Sequence, residues 1–242
     1  MTLGQNPLTG LWAASIIALL WFSSLVLSLC IDVHQISFSW ILLSVLGRTF
    51  IHTGLFIITH DAIHGTVAPS HPQLNQVIGR LAITLYACLS YRRLRQNHWL
   101  HHHYPGQARD PDFHDGIHAN IVSWYLRFMQ TYLKNQTLKI PCVIALTFGL
   151  LYLGFYIPPQ NLVLFWILPI ILSSMQLFVF GTFLPHRSSD NLNGHTITSC
   201  HYPPILSFLT CYHFAYHREH HEYPFLPWYQ LPVVFQNKDR AK

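Results

Sequence analysis

Three histidine clusters carry the chemistry this chain can do. They read His60-Asp-Ala-Ile-His64, His98-Trp-Leu-His101-His102 and His217-Arg-Glu-His220-His221. The first is H-x3-H and the other two are H-x2-H-H. On a helix, spacings of three and four residues bring side chains onto one face, so each cluster can aim two or three imidazoles at one point. Eight such nitrogens exceed the four that a single zinc takes and suit two metals with four or five ligands each. Imidazole serves zinc, copper, iron and nickel alike. A histidine-rich storage tract would be contiguous and of low complexity, whereas these clusters are spread over more than half the chain.

The elements that position the clusters belong to a membrane. The 242 residues are 51% hydrophobic and 10% charged, with positive mean hydropathy, against about 25% charged residues in soluble domains. The expectation is one integral membrane domain over residues 1–242. The five cysteines include no C-x-x-C pair and are expected to be buried thiols without a disulfide framework. The net charge of +5 is too dispersed for nucleic acid. Residues 11–30 carry no charge and suit the ~20-residue length of a spanning helix. They lack the basic start of a secretory signal. A second span is expected at about 36–59, interrupted by Arg48 and His52, and runs directly into His60. Ionisable groups inside a span are functional candidates unless they face neighbouring helices.

Residues 77–91 are apolar but short. A single crossing there would put the first two clusters on opposite sides of the bilayer, so this segment is expected to be re-entrant or interfacial. Apolar segments at 140–157 and 162–184, joined by Pro158-Pro-Gln-Asn161, form a hairpin that returns the chain to the side it left. That gives about four spans in an all-α protein, with a helical cap carrying the histidine-rich site. Twelve of the fourteen Lys and Arg residues lie in the middle stretch and in the tail after Leu184. By the positive-inside rule the histidine site and both termini are cytoplasmic. Pro203-Pro204 opens a helix expected to run through Tyr212 to His221. The aromatic, proline-rich stretch after it is expected to pack over the site.

Metal-bound histidines donate their other N–H to a carboxylate or carbonyl. Asp61, Asp112, Glu219 and Glu222 lie close enough in sequence to serve. Neutral ligands leave the charge of the metals largely uncompensated, which favours strongly oxidising chemistry on a lipid-soluble substrate.

The boxes resemble those of the membrane di-iron superfamily of fatty-acid desaturases and hydroxylases. Several stretches are similar to the bacterial and cyanobacterial type of β-carotene ketolase. They are His60-Asp-Ala-Ile-His-Gly65, Asn97-His-Trp-Leu-His-His102, Pro105-Gly106 with Asp110-Pro-Asp-Phe-His114, Phe183-Leu-Pro-His-Arg187, and His217 to Pro224 with Pro227-Trp228 and Leu231-Pro232 behind it. The resemblance implies two Fe ions, O2 as co-substrate, and electrons from an external donor such as ferredoxin. It implies a carotenoid substrate, β-carotene or echinenone, oxidised at ring C4 to a ketone by two hydroxylations and loss of water. Asp61, Asp112 and His114 are the catalytic candidates on this reading. The superfamily also implies a ninth histidine in an N-x3-H pattern. Here the match is Thr182-x3-His186, without the Asn. Pro185 is expected to end the last span and turn His186 inward, whereas His195, His201 and His213 are expected to stay outside the ligand set. A fatty-acyl desaturase or a ring 3-hydroxylase shares the same boxes. A divalent-metal transporter would bury its ligands at the bilayer midplane, not at span ends.

Overall fold

The computed structural model describes residues 8–187 and 197–240, and among them every regular element is helical. In chain order these are α1 (Thr9–Leu29), α2 (Phe38–His64), α3 (Pro72–Ala87), α4 (Tyr91–His103) and α5 (Ile121–Leu133). Then come α6 (Lys139–Gly154), α7 (Pro159–His186), α8 (Pro204–Cys211), α9 (His217–Glu222) and α10 (Leu231–Arg240). Helices α1, α2 and α7 are long and apolar enough to cross a membrane; α6 is apolar but shorter. The outward faces of α1 and of the first half of α2 expose Trp12, Ile16, Leu19, Phe22, Phe38, Trp40 and Leu43. In water such a surface would be costly. Against lipid tails it is the expected exterior.

Helix α2 is the axis of the molecule, with α1, α3 and α7 packed around it. Gly54 lets two neighbours come close: a methyl group there would lie 2.6 Å from Ile17 Cγ2 and 2.8 Å from the Tyr212 hydroxyl. The polar residues inside the spans satisfy backbone groups that helix ends and prolines leave open. His52 is fully buried, accepting from Trp21 Nε1 at 3.1 Å on Nδ1 and meeting the Tyr86 carbonyl at 3.0 Å through Nε2. Since Nδ1 accepts, Nε2 carries the proton and donates to that carbonyl near the end of α3, where helix carbonyls lack partners. Asn161 Nδ2 reaches the carbonyls of Ser28, Leu29 and Ile31 at 2.7–3.2 Å, closing the end of α1 in the same way. Arg48 and His52 thus face neighbouring helices.

Two stretches depart from the sequence expectation, one at a proline and one at a left-handed backbone. Pro185 does not stop α7: Leu184 is helical at φ −61° and ψ −43°, and the helix runs through His186. A proline inside a helix clashes with the carbonyl four residues back. In α7 a π-helical run precedes each Leu-Pro pair, Val163–Ile167 before Pro169 and Phe178–Phe183 before Pro185. The wider π turn accommodates that misfit. The carbonyl of Phe165, four residues before Pro169, accepts from Arg48 Nε at 3.2 Å.

The helix opening at Pro204 does not continue to His221. Tyr212 and His213 take positive φ of 46° and 66°, and the chain turns before α9 begins at His217. The bonds Tyr212 N to Phe208 O (2.8 Å) and His213 N to Ser207 O (3.0 Å) close α8. The Tyr212 ring, stacked on Phe50 at 4.5 Å, gains the packing that offsets the strained backbone.

Of the five cysteines expected to be buried only Cys211 is; Cys30 and Cys142 are exposed, and all five are free thiols. An apolar stretch in a membrane protein has a lipid face as well as a packed one, and composition does not distinguish them.

Arg48 also donates to the Trp21 carbonyl (3.0 Å) and to Ser24 Oγ (2.7 Å), so three helices meet at one guanidinium. Arg48→Ala is expected to cost about 3 kcal/mol by removing its hydrogen bonds to Phe165, Trp21 and Ser24, read as a drop in thermal stability in detergent. Arg48→Lys recovers only part of the loss, because one ammonium cannot reach acceptors on both α1 and α7.

Candidate metal centre

Each histidine box lies on a helix that ends at one level of the molecule. Helix α2 stops just after the first box because Gly65 takes the left-handed conformation, φ 77°, that closes a helix C-terminus. Helix α4 starts on the cap Ser90, whose side chain accepts from Arg93 N, and presents the second box. The turn at Tyr212–Tyr216 re-aims the chain so that α9 presents the third.

Helical geometry then sorts the nitrogens. Residues i and i+4 lie about 40° apart on a helix, while i+3 lies about 60° off on the other side. In α4, His98 and His102 form the i/i+4 pair and His101 is the outlier. In α9 the pair is His217 and His221, and His220 is the outlier. The structure sorts them along that division. His60, His64, His98 and His220 bring ligand atoms within 4.8 Å of one another, and so do His101, His186, His217 and His221. His102 sits between the groups, with Nε2 3.1 Å from His98 Nε2 and 2.9 Å from His220 Nε2 and its ring stacked on His221 at 4.2 Å. The α9 box therefore sends His217 and His221 to one group and His220 to the other, and the α4 box sends His98 to one group and His101 to the other with His102 between them.

The groups fit metals on geometric grounds. Neighbouring Nε2 atoms lie 2.7–3.2 Å apart: His64 to His98 (2.7 Å), His60 to His220 (3.1 Å), His101 to His217 (3.2 Å) and His221 to His101 (3.0 Å). Ligands at right angles around a metal with bonds of about 2.1 Å stand about 3.0 Å apart, and tetrahedral ones about 3.4 Å. These edges are of the length that nitrogens sharing one metal ion require.

Three histidines anchor Nδ1 outside the cluster, which leaves Nε2 facing in. His101 Nδ1 lies 3.0 Å from both oxygens of Asp110, His60 Nδ1 lies 3.3 Å from Asp61 Oδ1, and His186 Nδ1 donates to the Thr182 carbonyl at 2.7 Å. Burial, reinforced by neighbouring imidazoles, holds His98, His217, His220 and His221 well below the ordinary histidine range, and His102 down to about 2. They are neutral at physiological pH, as metal ligands must be. His101 goes the other way: burial pulls it down, but the hydrogen bond and charge of Asp110 outweigh that and raise it.

Asp112 is buried; its Oδ1 accepts from the Tyr132 hydroxyl at 2.5 Å and its carbonyl from Trp124 Nε1 at 2.7 Å, so α5 pins this loop. Burial, with Asp110 adding to it, raises the Asp112 carboxyl to about 6 against the pull of His101 and Tyr132. His114 packs on Phe113 (4.1 Å) and Trp124 (4.8 Å), accepts from Gly116 N, and is in neither group. Glu219 is buried, accepts from Ser199 Oγ and pairs with Arg218 at 3.6 Å; Glu222 pairs at the surface with Arg218 and Lys238. Both tie α9 to its neighbours instead of touching a histidine. His213 stacks on Tyr216 and Trp228, His201 packs on Phe235, and His195 lies outside the described residues. Trp228 meets Asp61 Oδ2 through its backbone N–H at 3.4 Å, bringing the aromatic tail over the first group.

Asp110 is the residue the sequence reading passed over. Besides His101 it accepts from Gly106 N (2.7 Å) and Asp112 N (2.9 Å). The signal was available: Pro105-Gly106 turns the chain back on α4, and an Asp four residues after that glycine can accept from its N–H.

A small cavity opens beside both groups. His60 and His98 of one and His101 and His217 of the other line it, with Asp112, Tyr132 and Thr182 as polar neighbours and Phe56, Phe128, Leu177 and Phe214 as apolar ones.

A family model described as "Fatty acid desaturase" matches residues 37–241. Over 82% of its length the chain is 43% identical to a beta-carotene ketolase of Paracoccus sp. (strain PC1), covering 81% of that protein. The chain belongs to the fatty acid desaturase family, in its β-carotene ketolase branch. It is also 42% identical, over 81% of its length, to a beta-carotene 4-ketolase of Protosiphon botryoides, covering 52% of that protein. A zeaxanthin 4-ketolase of Chlamydomonas reinhardtii is 40% identical over 93% of this chain and 51% of its own length. The chain thus spans about half the length of these two algal relatives. Every box of this desaturase-family chain lies inside the matched segment.

Asp110→Asn keeps the size but weakens the acceptor for His101. Metal affinity is expected to fall about 10–100-fold, measured by competition with a chelator, whereas Glu222→Gln, at the surface, leaves it unchanged.

Proposed function

We propose that the chain is a β-carotene 4-ketolase, an O2-dependent oxidoreductase that converts C4 of a β-ionone ring to a ketone, giving echinenone and then canthaxanthin. The observation carrying this reading is the kinship with ketolases over four fifths of the chain, boxes included. In this reading His60, His64, His98, His102 and His220 hold one metal ion and His101, His186, His217 and His221 the other. Two irons bound there supply reductive activation of O2, with electrons from an external donor such as ferredoxin.

The chain's own residues orient the substrate and handle protons. The cavity wall of Phe56, Phe128, Leu177 and Phe214 is apolar, as a hydrocarbon ring requires. Its free volume, about 40 Å³, holds a dioxygen but not a six-membered ring, so ring binding turns side chains of this wall aside. Two hydroxylations of C4 give a geminal diol, which becomes the ketone by losing one water. Asp112 is the carboxyl on that wall. Tyr132 occupies Oδ1, leaving Oδ2 to take the proton of one hydroxyl and return it to the departing one. A carboxyl raised to about 6 by burial is suited to both halves of that transfer. Asp61 keeps His60 in place.

The membrane arrangement follows the charge. The histidine end and both termini are cytoplasmic, α6 is the fourth crossing despite its shortness, and α3 lies at the interface. Beta-carotene is about as long as the ~30 Å hydrocarbon core is thick, so one ring sits at the metals while the polyene lies among the spans.

Expression in β-carotene-producing cells is expected to yield echinenone and canthaxanthin, and purified protein to carry two irons per chain. Products hydroxylated only at C3, or desaturated acyl chains alone, contradict the assignment. At matched expression His186→Ala is expected to lose about half the iron or more and most of the ketone. His201→Ala and His213→Ala keep both.

A further inference from the structure

A second hollow, of about 800 Å³, opens between α3 and α4 on the outside of the second box. Arg80, Arg92 and Arg95 line it and all three are exposed. Among the described residues no carboxylate lines it and none pairs with these arginines. Gln76 and Gln96 add neutral amides to the same wall. The lining therefore offers donors and positive charge, which is the chemistry of an anion site.

The neighbouring surface says where the anion comes from. On α3 the exposed Leu74, Val77, Leu81 and Leu85 fall within about 80° of one another at 100° per residue, forming a single apolar stripe. Arg80 lies about 60° beyond the edge of that stripe. An exposed stripe flanked by arginine is the pattern of a helix lying in a membrane interface, apolar side in the acyl region and charge at headgroup level. Shape points the same way. A docked protein covers some 20–30 residues a side, whereas ten residues line this concavity.

We propose that this hollow binds the phosphate of an anionic lipid through Arg80, Arg92 and Arg95. Its floor reaches the histidines: Trp99 lines the hollow and packs edge-on against His64 (ring centroids 5.1 Å) and beside His102 (5.7 Å). A bound headgroup braces α4 at the place where that helix presents the second box.

The test uses the full chain in nanodiscs of phosphatidylcholine with and without phosphatidylglycerol. Thermal unfolding and the lipid retained in native mass spectrometry are the readouts. Phosphatidylglycerol is expected to raise Tm and to be retained. Each Arg→Gln change weakens its apparent affinity about fivefold and the triple change about a hundredfold. Arg127→Gln, outside the hollow, changes nothing. Inorganic phosphate added to phosphatidylcholine discs is expected to leave Tm unchanged. Should the triple variant fail to fold, a phosphatidylglycerol titration of Arg95→Gln alone decides the matter. The proposal is overturned if wild type gains nothing from phosphatidylglycerol or if the variants keep the full gain. It is also overturned if inorganic phosphate stabilises equally, or if only an acidic polypeptide such as polyglutamate does so.

Discussion

The structure depends on bringing the lone pairs of nine imidazoles to one place. A buried nitrogen without a partner costs about 1–3 kcal/mol, and the structure anchors Nδ1 on His60, His101 and His186 but leaves that of His64 and His217 buried without one, so cations among the inward-facing nitrogens would offset much of the cost of the convergence. Three helices of different sequence position must end at the same depth, and each does so by a local device. For α2 it is the left-handed Gly65, for α4 the Ser90 cap, and for α9 the left-handed Tyr212-His213 turn. Rotation about each helix then decides which nitrogen goes to which group. A box with three histidines in two consecutive spacings is therefore a splitter, supplying two groups of histidines from one helix.

The membrane-embedded part keeps those helix ends in register. It has few polar groups, and most join helices: His52 ties α1 to α3 through α2, Asn161 closes α1 from α7, and Arg48 links α1, α2 and α7. In a low-dielectric interior each such bond is worth more than at a wet surface, and each lost partner costs more. Lipid supplies no apolar driving force between helices, so these links and close contacts such as Gly54 carry much of the specificity.

The sequence was legible wherever spacing is chemistry. H-x3-H and H-x2-H-H declared their helices and their shared target, the apolar stretches declared the membrane, and Thr182-x3-His186 pointed to a further histidine that the fold brings to the second group. What escaped was long-range or depended on backbone exceptions. Asp110 reads as an ordinary loop acid until the turn at Gly106 brings it back onto His101. Pro185 reads as a stop because the π run before it has no signature in side-chain pattern. Tyr212 and His213 read as helix because neither residue type announces a left-handed backbone, and the packing of Tyr212 on Phe50 that supports it joins residues far apart in the chain. Glu219 and Glu222 sat beside histidines in sequence and hold neighbouring segments instead, since adjacency along a short helix says little about which way a carboxylate turns.

The π runs of α7 have a consequence for how such a chain can change over time. A π turn is an α-helix with one residue too many for its length, and each residue added or removed turns everything beyond it by about 100°. Helix α7 carries two such surpluses between its Asn161 anchor and His186. Its lipid-facing positions can exchange one apolar side chain for another freely, since nothing packs on them. A deletion is a different matter, because losing one residue at an exposed spot such as Ile171 swings His186 a quarter-turn or more away from its group unless a π run gives up its surplus residue. The span is permissive in letter and strict in count, so among descendants of this chain its length should drift far more slowly than its spelling.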